Sequence, residues 1–162
     1  MLPFSRITII GLGLIGSSVA RAIRAEMPDV RITGYDADRD VRERASGLNF
    51  CDDVTDNAGT AVIDADLVLL AVPVGAMGDV AKSFAADLPE DAIVSDVGSC
   101  KQSVFDALVK ALPKATIIPA HPVAGTEKSG PEAGFASLFE GRWCILTPPD
   151  DAPEVAVERL KT

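Results

Sequence analysis

Histidine occurs once in these 162 residues and cysteine three times, with no CxxC pair and no spacing that suits a metal site. The thiols Cys51, Cys100 and Cys144 are odd in number, which argues against a disulfide framework and reads as reduced cysteine in a cytoplasmic protein. Basic residues are also few: 15 Lys and Arg stand against 24 Asp and Glu, for a net charge of −9 and a pI near 4.5. A surface of that sign repels phosphate backbones and anionic headgroups at long range, so neither nucleic acid nor membrane is expected as a partner. No apolar run reaches the roughly 18 residues of a membrane span. The longest, Leu67 to Met77, is broken by Pro73. There is no internal repeat, no low-complexity tract and no GxSxG elbow of a serine hydrolase.

What is present is an ordinary globular composition, 48% hydrophobic and 24% charged, at a length that suits one core. Short apolar runs fit buried parallel strands at Ile7–Ile10, Arg31–Tyr35, Leu67–Val72, Ala92–Ser95, Thr116–Ala120 and Trp143–Leu146. Between them, Ile15, Val19 and Ile23, then Met77, Val80, Phe84 and Leu88, then Val104, Leu108 and Leu112 recur at helical spacing. A short exposed helix is expected from Asp38, as N-cap, to Leu48, with Gly47 near its end. Residues 52–65 read as loop with a short helical turn. Strands alternating with helices predict right-handed crossovers and an α/β fold: a doubly wound, mostly parallel sheet with helices on both faces. PPDDAP marks a break before a last helical start at Glu154 to Leu160, dividing residues 1–150 from 151–162.

GLGLIG at Gly11–Gly16 follows the first strand and opens the first helix, the context in which GxGxxG binds a dinucleotide. The preceding Arg6, the apolar stretch and the small SSVA have the order of a signal peptide, but strand, glycine turn and helix explain the same residues better. Gly11 permits the tight turn, Gly13 a close approach to pyrophosphate, and Gly16 tight packing of helix on strand, while Leu14 and Ile15 open that helix. The phosphates would meet unpaired N–H groups at the positive end of the helix dipole. Asp36, twenty positions after Gly16 at the end of the second strand, can accept hydrogen bonds from ribose hydroxyls and would repel a 2′-phosphate. NAD is therefore the expected cofactor, with Arg39 and Arg42 close enough in sequence to keep NADP open. In Ala71–Pro73, Val72 and Pro73 either bring backbone to the cofactor beyond a strand end or, for Pro73, simply end the strand.

His121 follows the TIIPA run, so a strand delivers it to the ligand-facing edge, where it is either a catalytic residue beside the nicotinamide or a packed or capping histidine. In DVGSCK, Ser99 ends a strand, where it can hydrogen-bond a substrate hydroxyl or cap the next helix. Lys101 stands in that helix's first turn, either as a solvated residue or as a cation for an anionic substrate.

HPVAGTEKSG at His121–Gly130, followed by Phe135, Leu138, Phe139, Gly141 and CILTP, resembles the signature of prephenate/arogenate (cyclohexadienyl) dehydrogenases. DVGSCK and GLGLIGSS resemble that family's other two motifs, in one register from about Ile7 to Pro148. The resemblance implies a Rossmann fold and an NAD-dependent oxidative decarboxylation in tyrosine biosynthesis. Hydride would leave ring C4 of a small-molecule substrate while His121 takes its hydroxyl proton. It implies that Ser99 bonds the same hydroxyl, that Thr126 and Glu127 lie near the substrate, and that Lys101 and Lys128 are the cations on hand for its carboxylates. It also implies a helical C-terminal domain that makes a homodimer and supplies an arginine. The sequence stops at Thr162 in a helical pattern and is expected to be the first domain, with residues 151–162 starting a truncated or missing region. Two alternatives stand beside this: another reductase of the same superfamily, and an NAD-binding regulatory module.

Overall fold

The computed structural model describes residues 3–161. Six strands, β1 (Arg6–Ile10), β2 (Arg31–Tyr35), β3 (Asp53–Thr55), β4 (Leu67–Leu70), β5 (Ile93–Asp96) and β6 (Thr116–Ile117), form one parallel sheet in the order β3-β2-β1-β4-β5-β6. The strand order reverses between β1 and β4, which run parallel and pair Ile7 with Leu67 and Ile10 with Leu70. Doubly wound sheets open a crevice at that point, beyond the carboxyl ends of the strands.

The strands alternate their side chains between two cores, as a sheet covered on both faces requires. On one face Ile10, Val68, Leu70 and Val94 meet α3 (Ala58–Val62), α4 (Met77–Phe84) and α5 (Lys101–Ala111). On the other, Ile7, Ile9, Ile32 and Ile93 meet α1 (Leu14–Glu26), α2 (Arg39–Ser46) and α6 (Glu154–Leu160). Met77, Phe84 and Leu108 are fully buried, as their helical spacing predicts. Asp38 caps α2 by accepting from the Asp40 amide at 2.8 Å. No helix among the described residues is long and apolar enough to cross a membrane.

Five expectations need correction. Residues 53–55, read as loop, form edge strand β3, which pairs Thr33 with Asp53 and Tyr35 with Thr55. The 116–120 run splits: β6 stops at Ile117, Pro119 has no N–H to continue a ladder, and β7 (Ala120–Pro122) begins afresh. The 143–146 run is not a sixth parallel strand but β8 (Cys144–Leu146), antiparallel to β7 in a separate two-stranded sheet. Leu67–Val72 ends as a strand at Leu70, so Pro73 does not terminate it; Pro73 instead opens a 3₁₀ turn at Val74–Ala76 leading into α4. On α1 the deepest stripe is Gly16, Ala20 and Ile23, with Ile15 and Val19 half-buried. Ser17 and Ser18 are also buried, because the 3₁₀ turns Pro131–Ala133 and Ala136–Phe139 pack across that side.

Candidate active site

Because β1 to β6 run parallel, the segments leaving their carboxyl ends share one edge. Gly11–Gly13 leave β1, Asp36 leaves β2, Val72 and Pro73 follow β4, and Val97 to Ser99 follow β5, with β7 beyond β6. All the residues expected to serve nucleotide binding thus lie at the crevice.

Gly11 has φ +97°, a conformation that costs an L side chain dearly, and a Cβ there would sit 2.5 Å from the Ala71 carbonyl oxygen. A Cβ on Gly16 would lie 1.9 Å from the Gly11 carbonyl oxygen, so helix and turn touch backbone to backbone. Gly13 differs: its φ is −71° and a Cβ would meet nothing within 4 Å. Nothing in the chain itself demands glycine there. Gly13 is also the N-cap of α1, with no side-chain cap and no acidic residue in the first turn. The N–H groups opening that 13-residue helix, Leu14 and Ile15 among them, therefore remain available to an anion.

Asp36 braces this turn: Oδ2 accepts from the Leu12 amide at 2.8 Å and Oδ1 from the Asp38 amide at 2.9 Å. A carboxylate offers about four lone-pair sites, so capacity for ribose hydroxyls remains. The two nearby arginines are engaged elsewhere. Arg42 Nη1 donates to the Asp36 and Ala37 carbonyls at 2.8 and 3.0 Å, and Arg39 Nε to Glu43 at 2.7 Å.

His121 is central in β7, opposite Ile145 of β8. Its Nδ1 lies 3.4 Å from the Val97 carbonyl oxygen, which can only accept. The tautomer that uses this contact carries its proton on Nδ1 and leaves Nε2 unprotonated. Register places Val123 and Trp143 on the same face of the small sheet as His121 and Ile145. Trp143 is 82% exposed and Ile145 49%.

Ser99 is exposed and does not cap α5; the N-cap is Cys100, whose side chain makes no capping bond but lies 4.0 Å, Sγ to Oγ, from the Ser99 hydroxyl. The reading of Lys101 as a solvated residue is overturned. Its ammonium donates to Asp96 Oδ2 and to the Ala120 carbonyl, both at 2.5 Å, and Asp96 is fully buried. Sequence reasoning gave Asp96 no role; the available signal was a carboxylate ending the buried run AIVSD, which needs a cation. Thr126 and Glu127 lie in the exposed loop after β7, where the Thr126 hydroxyl accepts from the Lys128 amide at 3.2 Å. No hydrogen bond or ion pair among the described residues joins them to His121. The same segment is anchored farther on: Arg44 of α2 pairs with Glu132 at 2.9 Å, and the Phe135 amide donates to Ser18 Oγ at 3.1 Å.

Known proteins resemble the chain over most of its length. A family model described as the nucleotide-binding domain of prephenate dehydrogenase matches residues 19–162. Cyclohexadienyl dehydrogenase of Zymomonas mobilis is 53% identical over 157 residues, covering 97% of this chain and 54% of that protein. Prephenate dehydrogenase of Bacillus subtilis is 37% identical over 157 residues, covering 96% and 42%. The crystal structure of Aquifex aeolicus prephenate dehydrogenase in complex with hydroxyphenyl propionate and NAD+ superposes with a TM-score of 0.88 at 32% identity, covering 97% of this chain and 55% of that one. The chain spans about half the length of the curated relatives it matches.

Proposed function

The chain belongs to the prephenate dehydrogenase family as its nucleotide-binding domain, and we propose that it seats NAD for the oxidative decarboxylation of prephenate or arogenate in tyrosine biosynthesis. The observation that carries this reading is the sharing of one sheet edge by two features. One is an uncapped glycine turn with open space at Gly13; the other is the imidazole of His121, hydrogen-bonding through Nδ1.

The residues present fit the cofactor. Gly11, Gly13, Leu14, Ile15 and Gly16 would face the pyrophosphate, Asp36 the adenosine ribose, and Val72 and Pro73 the crevice beside them. NAD rather than NADP follows from Asp36 and from the prior engagement of Arg39 and Arg42. When bound, the nicotinamide supplies the hydride acceptor. His121 Nε2 accepts the hydroxyl proton as the ring carbon becomes a carbonyl, and Ser99, whose hydroxyl no helix cap occupies, orients the same oxygen. The carbon–carbon bond to the ring carboxylate then breaks, its electron pair passes through the ring to the carbonyl oxygen, and that oxygen takes back the proton held by His121 as CO2 departs and the ring becomes aromatic. Thr126 and Glu127 are assigned to the substrate side, and Lys101, whose ammonium is shared between Asp96 and the Ala120 carbonyl, to the backbone that carries His121.

Residues 1–150 are assigned to the nucleotide domain and 151–162 to the start of the following region, although Ala156 of α6 packs in the same core as Phe4. We assign the protein to the cytoplasm, supported by its three free cysteines, and to a homodimer when a C-terminal domain follows, supported by the exposed Trp143 and Ile145. The test is an NAD titration followed by cofactor-reduction assays with prephenate and with arogenate, on this chain and on the full-length enzyme. Turnover of either substrate by the full-length enzyme is expected. NAD binding with turnover of neither would favour a regulatory module.

A further inference from the structure

Asp96 and Lys101 form an ion pair that the proton transfer does not use, and both contact the residue before the imidazole. Asp96 Oδ2 accepts from the Gly98 amide at 2.7 Å and from Lys101 Nζ at 2.5 Å, and Oδ1 accepts from the Ala120 amide at 3.3 Å. Lys101 Nζ also donates to the Ala120 carbonyl at 2.5 Å. Both polar groups of Ala120 are thus held by one buried pair. The need for such a hold is local: β6 has ended at Ile117, Pro119 contributes no donor, and Ala120 lies where the chain changes sheets.

We propose that the Asp96–Lys101 pair is a positioning device that clamps the Ala120 backbone and so fixes the ring of His121 against Val97, with Nδ1 protonated and Nε2 free as base. The clamp and the ring's acceptor come from one short segment, since Val97 directly follows Asp96. A shift of the pair therefore moves imidazole and acceptor together. The ammonium is committed on two sides, so its role towards His121 is geometric. A fully buried carboxylate with one cation holds its geometry more strictly than an exposed pair, because losing either partner strands a charge away from water.

The inference takes the role of His121 from the proposed function, yet it can be tested without turnover. His121 is the only histidine, so the imidazole ¹⁵N spectrum of the chain contains one ring. The native spectrum is expected to show the neutral ring with its proton on Nδ1 and none on Nε2. In the double variant D96N/K101M, which removes both charges together, the ring is expected to sample both tautomers. In the full-length enzyme the same variant should lower kcat by about 10²-fold, the cost of a misplaced catalytic group, with NAD affinity unchanged. K82M, which removes the exposed pair with Asp79 on α4, should leave spectrum and kcat native. A variant spectrum identical to the native one overturns the proposal, as does a native ring protonated on Nε2 alone. If the double variant fails to fold, amide exchange of the native chain decides: a slowly exchanging Ala120 amide is expected, and one exchanging like an open loop overturns the clamp. If the native full-length enzyme turns over neither substrate, the dehydrogenase reading fails while the ring spectrum still judges the clamp.

Discussion

The Leu12 amide donates to Asp36 Oδ2 at 2.8 Å, so the carboxylate assigned to the ribose also braces the glycine turn proposed to receive the pyrophosphate. Replacing it should therefore damage two parts of the cofactor site at once. Asp36→Ser is expected to weaken NAD by about tenfold or more, since hydrogen bonds to a charged group contribute about 1.5–3 kcal/mol. It should also narrow the preference over NADP by removing repulsion of the 2′-phosphate. Dissociation constants for both dinucleotides, measured side by side, check this, and an unchanged ratio would remove Asp36 from cofactor selection.

His121→Asn keeps a polar side chain in β7 but offers no base. Turnover of the full-length enzyme is expected to fall by about 10²–10⁴-fold, the usual contribution of general base catalysis. NAD affinity should be unchanged, because no hydrogen bond among the described residues joins the turn of Gly11–Gly16 to the imidazole. Single-turnover kinetics paired with an NAD titration separate the two effects; native turnover would take the proton-transfer role away from this residue.

Elements whose burial follows their own periodicity were legible in the sequence; those made by a distant partner were not. β1, β2 and the helices α4 and α5 carry their apolar spacing openly. β3 has only Val54 as an aliphatic residue and exists through its pairing with β2, so no local pattern announces it. An apolar run such as 143–146 does not encode the direction of its neighbour, and a parallel sixth strand was the wrong choice for β8. At the site, the glycine turn and His121 follow from position along strands. Lys101 misled because a lysine in a first helical turn ordinarily faces water, and only the fold brings it to Asp96.

The cysteines differ in environment. Burial pushes the Cys51 thiol up to about 12 from an ordinary value of 9.0, and partial desolvation raises Cys144 although its residue is exposed, as is Cys100 at the start of α5. The thiolate is the reactive form, so iodoacetamide at neutral pH should modify Cys100 and leave Cys51 intact, as peptide mass analysis would show. The sign for stability follows. Between about pH 9 and about pH 12 the unfolded chain has released this proton and the folded chain still holds it, so stability falls as pH rises through that window. Cys51→Ala should lose less stability than the native chain between pH values just below and about two units above 9.0, measured by urea unfolding. Equal losses would show that Cys51 does not contribute to the slope.

Two glycines of one turn make the sharpest pair of variants, because packing within the chain requires one and nothing within 4 Å of the other requires glycine. A methyl group on Gly16 would sit 1.9 Å from the Gly11 carbonyl oxygen, backbone that cannot swing away, so Gly16→Ala should destabilise the fold by about 1–3 kcal/mol or more. A methyl group on Gly13 would meet nothing within 4 Å, at a φ of −71° that alanine adopts freely. Gly13→Ala should therefore unfold within a few degrees of the native chain. If that space is where pyrophosphate approaches the backbone, the same variant should bind NAD at least about tenfold more weakly, a loss of about 1.4 kcal/mol. Thermal unfolding and calorimetric NAD titration of both variants give the four numbers needed. A Gly13→Ala chain that binds NAD as tightly as the native one would mean that the dinucleotide does not lie against this turn, and the placement of the whole site would fall with it.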